Sequence, residues 1–437
     1  MLRRDFLKYT SVAAAMALMP QTVNAAESVY NGPLWIFVQA SGGWDPTSFC
    51  DPKGYKEVTD NNGNLVMESN PMNKRFKTSD IKTNSKGVPY APITANDGIT
   101  NYNFEDFFIN NQDDLLVING IDTQTNGHAS GNRYMMSGKL SEGYPAISAL
   151  IAGINMPSAP LSFITAGGYD ETDGVVAGTR LDSVDSMNEL AFVNKYNDTT
   201  KYKHPSVFER ILKARDDRTK RTIDKQKLES IKRLAKQYNL AHTGSNELEK
   251  LVQFIPSDID THTYRNNAVF SQGRFAMAGY KAGLTTSVNI KIGGFDTHGD
   301  HDNRHLPRIA RLLKGLELLK EDAAAQGISD RVIFVVGSEF GRTPGYNGGN
   351  GKDHWSVSSM MFMGTPITRK GLLGATTDGH RAENINPSSL AVDSSGIPIT
   401  YAHINKALRK LAGIDTNPLI TQYYPLPATV EDLNLFG

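Results

Sequence analysis

Apolar residues along this chain fall mainly into short unbroken runs. Leu34-Trp35-Ile36-Phe37-Val38, Leu115-Leu116-Val117-Ile118 and Arg331-Val332-Ile333-Phe334-Val335-Val336 read as buried strands, with Leu161 to Thr165 and Ser287 to Ile292 as two more. Between them, helical spacing predicts helices at about 127–137, 267–281 and 306–325, the last ending near Gly327. The charged stretch at about 206–240, with Ile211, Leu212, Ile223, Leu228, Ile231 and Leu234 at helical spacing, reads as one or two amphipathic surface helices. Strands that stay apolar on both sides and alternate with helices predict an α/β fold, with a mostly parallel central sheet and helices on both faces. In such sheets functional groups gather in the crevice at the carboxyl ends of the strands.

Two regions fall outside that pattern. Residues at about 51–111 are rich in Asn, Asp, Lys and Gly and predict a polar excursion with little regular structure of its own. The N-terminus begins Met1-Leu2-Arg3-Arg4-Asp5-Phe6-Leu7-Lys8, continues through apolar Val12 to Met19, and reaches the small-residue site Val23-Asn24-Ala25. That order describes a signal peptide over 1–25, too short to span a bilayer, and the Arg3-Arg4 pair is of the twin-arginine type. The expectation is one α/β domain over 26–437, passed by the twin-arginine export machinery to the periplasm or beyond.

Composition narrows the function. Without Arg3, Arg4, Lys8 and Asp5 the chain carries 43 basic and 45 acidic residues. A near-neutral chain lacks the basic stripe that nucleic acid or an anionic membrane requires. No later segment is long and apolar enough for a membrane span, and no nucleotide cofactor is expected. The lone Cys50 excludes an intramolecular disulfide and reads as a packed residue rather than a nucleophile.

Three Gly-bounded patches carry the candidate chemistry: Gly294-Phe295-Asp296-Thr297-His298, Ser338-Glu339-Phe340-Gly341-Arg342-Thr343-Pro344 and Gly351-Lys352-Asp353-His354-Trp355. With Asp45 in Ser41-Gly42-Gly43-Trp44-Asp45, the residues Asp296, His298 and Glu339 all follow predicted strands, so the fold can bring them together. Asp296 and His298 can share one ion if the backbone is irregular there, which Gly293, Gly294 and Gly299 permit. Carboxylate with imidazole suits zinc, manganese or iron, whereas a carboxylate-rich set suits calcium or magnesium. If Asp296, His298 and His354 meet, the set is of the His/His/carboxylate kind that leaves a position for water. The plainer reading is that an Asp–His pair caps a turn. His301 and His305 sit at a helix start and read as solvent-exposed. Arg342 either holds an anionic group bidentately or pairs with Glu339 or Asp353 to brace its loop.

These motifs, in this order from Leu34 to about Gly374, resemble the domain of unknown function 1501 family, itself similar to the alkaline phosphatase and sulfatase superfamily. The resemblance implies a large α/β sandwich and a two-metal site. It implies metal-binding roles for Asp45, Asp296, His298 and His354. Ser338-Glu339-Phe340-Gly341 stands where sulfatases have Ser-Asp-His-Gly, so Glu339 can replace the acid while Phe340 cannot ligate. The segment His128 to Lys139 resembles the helix start that holds the superfamily's nucleophile, but His128 occupies that position and Ser130 lies two residues on. His128 would then be a ligand, a general acid or itself a covalent nucleophile.

The leading expectation is an exported, metal-dependent hydrolase of an anionic ester, phosphate or sulfate, on a small molecule or glycan. Asp45, Asp296, His298, Glu339, Asp353 and His354 form or support the metal shell, His128 or Ser130 acts at the scissile centre, and Arg342 holds the anion. The alternative is a secreted pseudoenzyme that binds a polyanion, a glycan or a partner protein. A purely structural metal is a third reading.

Overall fold

The computed structural model describes residues 30–181, 183, 204–228, 231, 232, 235 and 250–437. The expected signal peptide and the end of the charged helical segment, including Leu234, lie outside them. Strand β1 (Leu34–Ala40) is buried at all seven positions. Leu34, Ile36, Val38 and Ala40 enter one core, and Trp35 and Phe37 enter a second on the opposite side. A strand covered on both faces has no polar side, so its sequence is a run instead of an alternation.

The other sheet strands are β2 (Leu115–Asp122), β3 (Phe163–Ala166), β4 (Gly178–Arg180), β5 (Ser287–Ile292), β6 (Val332–Gly337), β7 (Val357–Met363), β8 (Gly371–Leu373) and β9 (Ile399–Thr400). Their order is β4-β3-β5-β1-β6-β7-β2-β8, and β9 also pairs with β2. Trp35 lies between Ser287 on β5 and Ile333 on β6, and both pairings are parallel. Only β7 runs the other way, antiparallel to β6 and to β2. The expected mostly parallel sheet is present, and β7 is an addition to it. Because β7 is reversed, it begins at the edge where β1, β2, β5 and β6 end.

Helices cover both faces. Helices α1 (His128–Ser137) and α2 (Ile147–Asn155) lie on the Trp35 side, α3 (Pro205–Lys225) comes from the charged segment, and α4 (Ala268–Lys281) and α5 (His301–Ala325) pack on the Leu34 side. Helix α6 (Tyr401–Leu411) returns to the Trp35 side. Helix α5 starts five residues earlier than its apolar pattern suggests. The polar excursion is more ordered than its composition predicts. It forms three two-stranded ribbons and a helix, Phe104–Asn110, whose Phe104, Phe107 and Phe108 are buried at i, i+3, i+4 spacing. Cys50 is fully buried, and burial pushes its thiol well up, in keeping with a packing role. Among the described residues no helix is long and apolar enough to cross a membrane.

Candidate metal centre

Five segments meet at the carboxyl edge of the sheet. Strand β1 delivers Gly42 and Gly43, β5 delivers Asp296 and His298, and β6 delivers Glu339. Asn126 and His128 follow β2, while Asp353 and His354 lead into the reversed β7. Asp296 is the hub. The Nε2 atoms of His298 and His354 lie 2.9 and 3.2 Å from its Oδ1, and Nε2 of His128 lies 3.5 Å from its Oδ2.

The other nitrogen of each ring faces an acceptor. Nδ1 of His128 is 2.8 Å from Glu339 Oε1, Nδ1 of His298 is 2.7 Å from Asp353 Oδ1, and Nδ1 of His354 is 2.7 Å from the Asn126 carbonyl. A carboxylate or a carbonyl can only accept, so each imidazole donates from Nδ1, and in its neutral form it turns an Nε2 lone pair toward Asp296. Nε2 of His298 and Nε2 of His354 are 3.1 Å apart. Two lone pairs at that distance repel unless a proton or a metal ion lies between them. Imidazole nitrogens held about 2.1 Å from one zinc-sized ion sit roughly 3.0–3.4 Å from each other. The residues whose ligand atoms all lie within 4.8 Å of one another are His128, Asp296 and His354; His298 stands beside them, in reach of Asp296 and His354. The donor set fits a single divalent ion of the zinc, manganese or iron class.

Buried groups hold the hub in place. Arg342, with no exposed surface, donates from Nη2 to Asp296 Oδ1 at 2.6 Å, from Nε to the Gly43 carbonyl and from Nη1 to the Lys352 carbonyl at 2.9 Å each, and from Nη2 to Gly42. Burial raises the Asp296 carboxyl, but Arg342 and His354 outweigh it and lower the pKa to about 2. The hydrogen bond that His128 donates to Glu339 raises its pKa against its partial burial. Glu339 is fully buried and also accepts the Gly42 amide at 2.8 Å. Gly42 has φ +125°, and a Cβ there would lie 2.3 Å from the Asp296 nitrogen, so only glycine lets β1 and the Asp296 loop approach this closely. Phe340 forms an apolar floor, its ring centroid 4.3 Å from His354 and 5.0 Å from His128.

Several expectations change. Asp45 does not join the cluster. It has no exposed surface, and its carboxylate takes Lys352 Nζ at 2.7 Å, His301 Nε2 at 3.1 Å, and the hydroxyls of Thr47 and Ser48 at 2.7 and 2.9 Å. A carboxylate this deep takes a cation partner, and here that partner is an ammonium group. Among the described residues one candidate ligand cluster is present, without Asp45, and the buried Phe340 beside it carries no donor. Arg342 does not face a substrate anion, because it is fully buried and four of its five donors go to Asp296 and three carbonyls. Its carboxylate partner is neither Glu339 nor Asp353. Glu339 and Asp353 orient histidines instead of adding to the inner set. The Ser130 hydroxyl is engaged with Thr125 Oγ1 at 2.7 Å and the Gly127 carbonyl at 3.1 Å.

His301 and His305 are fully buried, not exposed. Their rings stack at 4.3 Å, and both Nδ1 atoms meet Thr297 Oγ1, at 2.7 and 3.0 Å. The Asp45 amide donates to His305 Nε2 at 2.9 Å, so His305 carries its proton on Nδ1, and His301 gives its Nε2 proton to Asp45. The i, i+4 spacing of His301 and His305 places them on one helix face and was the available signal for this pair. Nothing in the sequence marked Lys352 or Thr297. In two of the three patches neighbours diverge: Asp296 and His298 reach the cluster while Thr297 points to the buried network, and His354 reaches it while Lys352 does not.

None of the curated proteins matches the chain. Among solved structures it is similar to Ps i-CgsB in complex with k-i-k-neocarrahexaose (8% identity, 93% of this chain and 76% of that one, TM-score 0.38). It is also similar to the PsFucS1 sulfatase from Pseudoalteromonas sp. (8% identity, 96% and 74%, TM-score 0.33). A third is the lipoteichoic acid synthase LtaP from Listeria monocytogenes (9% identity, 93% and 79%, TM-score 0.31). Overlaps of this size leave the site to be read from its own residues. The model for the family described as "Protein of unknown function (DUF1501)" matches residues 34–432, and the chain belongs to that family.

Proposed function

We propose that the chain is an exported hydrolase of anionic esters, phosphate or sulfate, that works with one divalent metal ion. The observation that carries the reading is the three imidazoles, each with Nδ1 committed to an acceptor and Nε2 turned onto Asp296. His128, Asp296, His298 and His354 would hold the ion, and Glu339, Asp353 and the Asn126 carbonyl would fix the rings. A divalent ion in such a shell polarises an ester oxygen and makes the water it binds acidic enough to attack at neutral pH.

The chain's own residues set the rest. Among the described residues no hydroxyl or thiol stands free at the cluster as a nucleophile, since Ser130 is engaged elsewhere and His128 faces Asp296. Water is then the attacking group. The His298 hydrogen bond lowers Asp353, which therefore orients and does not take a proton at neutral pH. With Arg342 spent, the ester's negative charge would be drawn to the ion.

One observation favours the binding or structural alternative. With His298 drawn in, three histidines and a carboxylate would fill a tetrahedral shell, and closed shells are the mark of structural zinc. Exposure argues the other way, because Asp296 and His298 are nearly half exposed at 45% and 47%, where a purely structural ion would be covered. A five- or six-coordinate manganese or iron would keep positions open. The test is turnover of a panel of phosphate and sulfate monoesters by the purified exported chain loaded with zinc, manganese or iron. Hydrolysis that disappears with a chelator and in His298→Ala is expected. A metal-loaded protein inert on every ester, or activity untouched by both treatments, would overturn the hydrolase reading.

A further inference from the structure

His298 is held less firmly than the other two rings of the cluster. Glu339, which orients His128, is fully buried. The Asn126 carbonyl that orients His354 belongs to the main chain. Asp353, which orients His298, is a side chain 54% exposed, and the His298 side chain is 47% exposed. An exposed pair of this kind holds its own geometry weakly, because both side chains can turn into solvent.

One further side chain meets that pair. Oδ1 of Asn347 accepts the amides of Gly349 and Gly351 at 3.0 and 2.9 Å. An atom that takes two N–H groups is the carbonyl oxygen, so the other end of the side-chain amide is the donor. Nδ2 lies 3.0 Å from the His298 carbonyl and 3.3 Å from Asp353 Oδ1. That oxygen is the same one that receives His298 Nδ1 at 2.7 Å. The two protons of Nδ2 thus hold His298 twice, its main chain directly and its ring through Asp353. Among the described residues, His298 and Asn347 are the only donors to the Asp353 carboxylate.

Asn347 is itself fixed. Its main-chain amide donates to the Gly351 carbonyl at 2.8 Å, and its carbonyl accepts the Asn350 amide at 3.0 Å. The loop lies directly on the His298 main chain. A Cβ at Gly351 would fall 1.9 Å from the His298 carbonyl oxygen, so the approach requires glycine. Lys74, from the polar excursion, ties the far side of the loop by donating from Nζ to Asn350 Oδ1 at 2.7 Å.

We infer that Asn347 is a positioning residue of the metal centre, which sets whether His298 joins His128, Asp296 and His354 in the shell. The inference rests on the metal reading of the cluster. Asn347 holds no ion itself and acts through Asp353.

The experiment is a zinc titration of the full chain in competition with a coloured chelator. The wild type is compared with Asn347→Ala, Asn347→Ser and Lys74→Met, and Asn347→Ala is repeated in an Asp353→Ala background. Zinc affinity should fall about tenfold in Asn347→Ala. Asn347→Ser should lose a similar amount. Its hydroxyl can still take the Gly349 amide but is too short for Asp353, so it keeps the test valid if the alanine variant disorders the loop. Lys74→Met unties the loop without touching His298 and should stay within about twofold of the wild type. With Asp353 already removed, Asn347→Ala should cost less than about threefold, because its route to the ring is gone. Unchanged affinity in both Asn347 variants would overturn the inference and leave the metal centre standing. So would an equal loss with and without Asp353, or an equal loss in Lys74→Met, either of which would reduce Asn347 to a loop brace. A wild type that takes up no zinc would remove the centre and this inference together.

Discussion

Glu339 accepts the Nδ1 proton of His128 at 2.8 Å from a position with no solvent exposure. The bond fixes the tautomer of a ring that starts α1 and points its other nitrogen at Asp296. Partners of this kind ordinarily govern metal affinity about tenfold to a hundredfold. Glu339→Gln keeps the size and removes the charge. We expect it to stay folded and to lose affinity on that scale in a competition titration against a coloured chelator. Equal affinity in the variant would mean that His128 is not a ligand.

Arg342 should matter more to the fold than to the chemistry. Its guanidinium joins the Asp296 carboxylate to three main-chain carbonyls from β1 and the Lys352 loop. Arg342→Met leaves all four without that donor, and a buried polar group left unsatisfied typically costs about 1–3 kcal/mol. Urea denaturation of the metal-free chain should show a loss of that order, with Arg342→Lys recovering little of it because one ammonium cannot span four acceptors. A midpoint unchanged in Arg342→Met would contradict the bracing role.

Asp45 and Lys352 form a pair in which neither side chain has exposed surface. Asp45→Asn or Lys352→Met alone strands a buried charge, so each should destabilise by about 3–5 kcal/mol. The double variant strands none, and its loss should fall short of the sum by about 1–3 kcal/mol in a double-mutant cycle. Strict additivity would show that the two groups do not interact.

Acid should weaken the protein in two stages. Burial lowers His301 despite the opposing pull of Asp45, and burial together with His301 lowers His305 well below the ordinary histidine value. Below about pH 6.5 the unfolded chain takes up protons that these folded histidines refuse, so stability falls as pH drops, by up to about 1.4 kcal/mol per unit for each ring. Burial alone would raise Asp45, but Lys352 and His301 hold it well below the usual carboxylate range. Its contribution persists to lower pH and is lost only as the pH falls below about 4. Melting temperatures of the metal-free chain from pH 8 to 3 should decline from about 6.5 and steepen below 4. A flat profile between pH 7.5 and 5 would show that the buried pair is not neutral.

Much of this was legible in the chain because burial on both faces leaves an unmistakable apolar run, as in Leu34 to Val38 and Val332 to Val336. Residues just beyond such runs, Asp296, His298 and Glu339, could be placed at one edge from that alone. Direction within a patch could not. Thr297 and Lys352 look like polar loop residues, and only the fold turns them inward while their neighbours turn out. Asp45 looked like a ligand because sequence shows a carboxylate after a strand and hides the ammonium that meets it. The reversed β7 was missed because an apolar run such as Met360 to Met363 carries no sign of strand direction. Yet that reversal is what brings His354 to the cluster.

The most direct measurement is metal content by mass spectrometry of the chain, purified without chelator, beside His128→Ala, His298→Ala and His354→Ala. We expect about one zinc, manganese or iron per chain, lost in all three variants while their circular dichroism stays native. Absence of metal in the wild type with none taken up on titration, or full retention in His128→Ala, would contradict the four-residue centre.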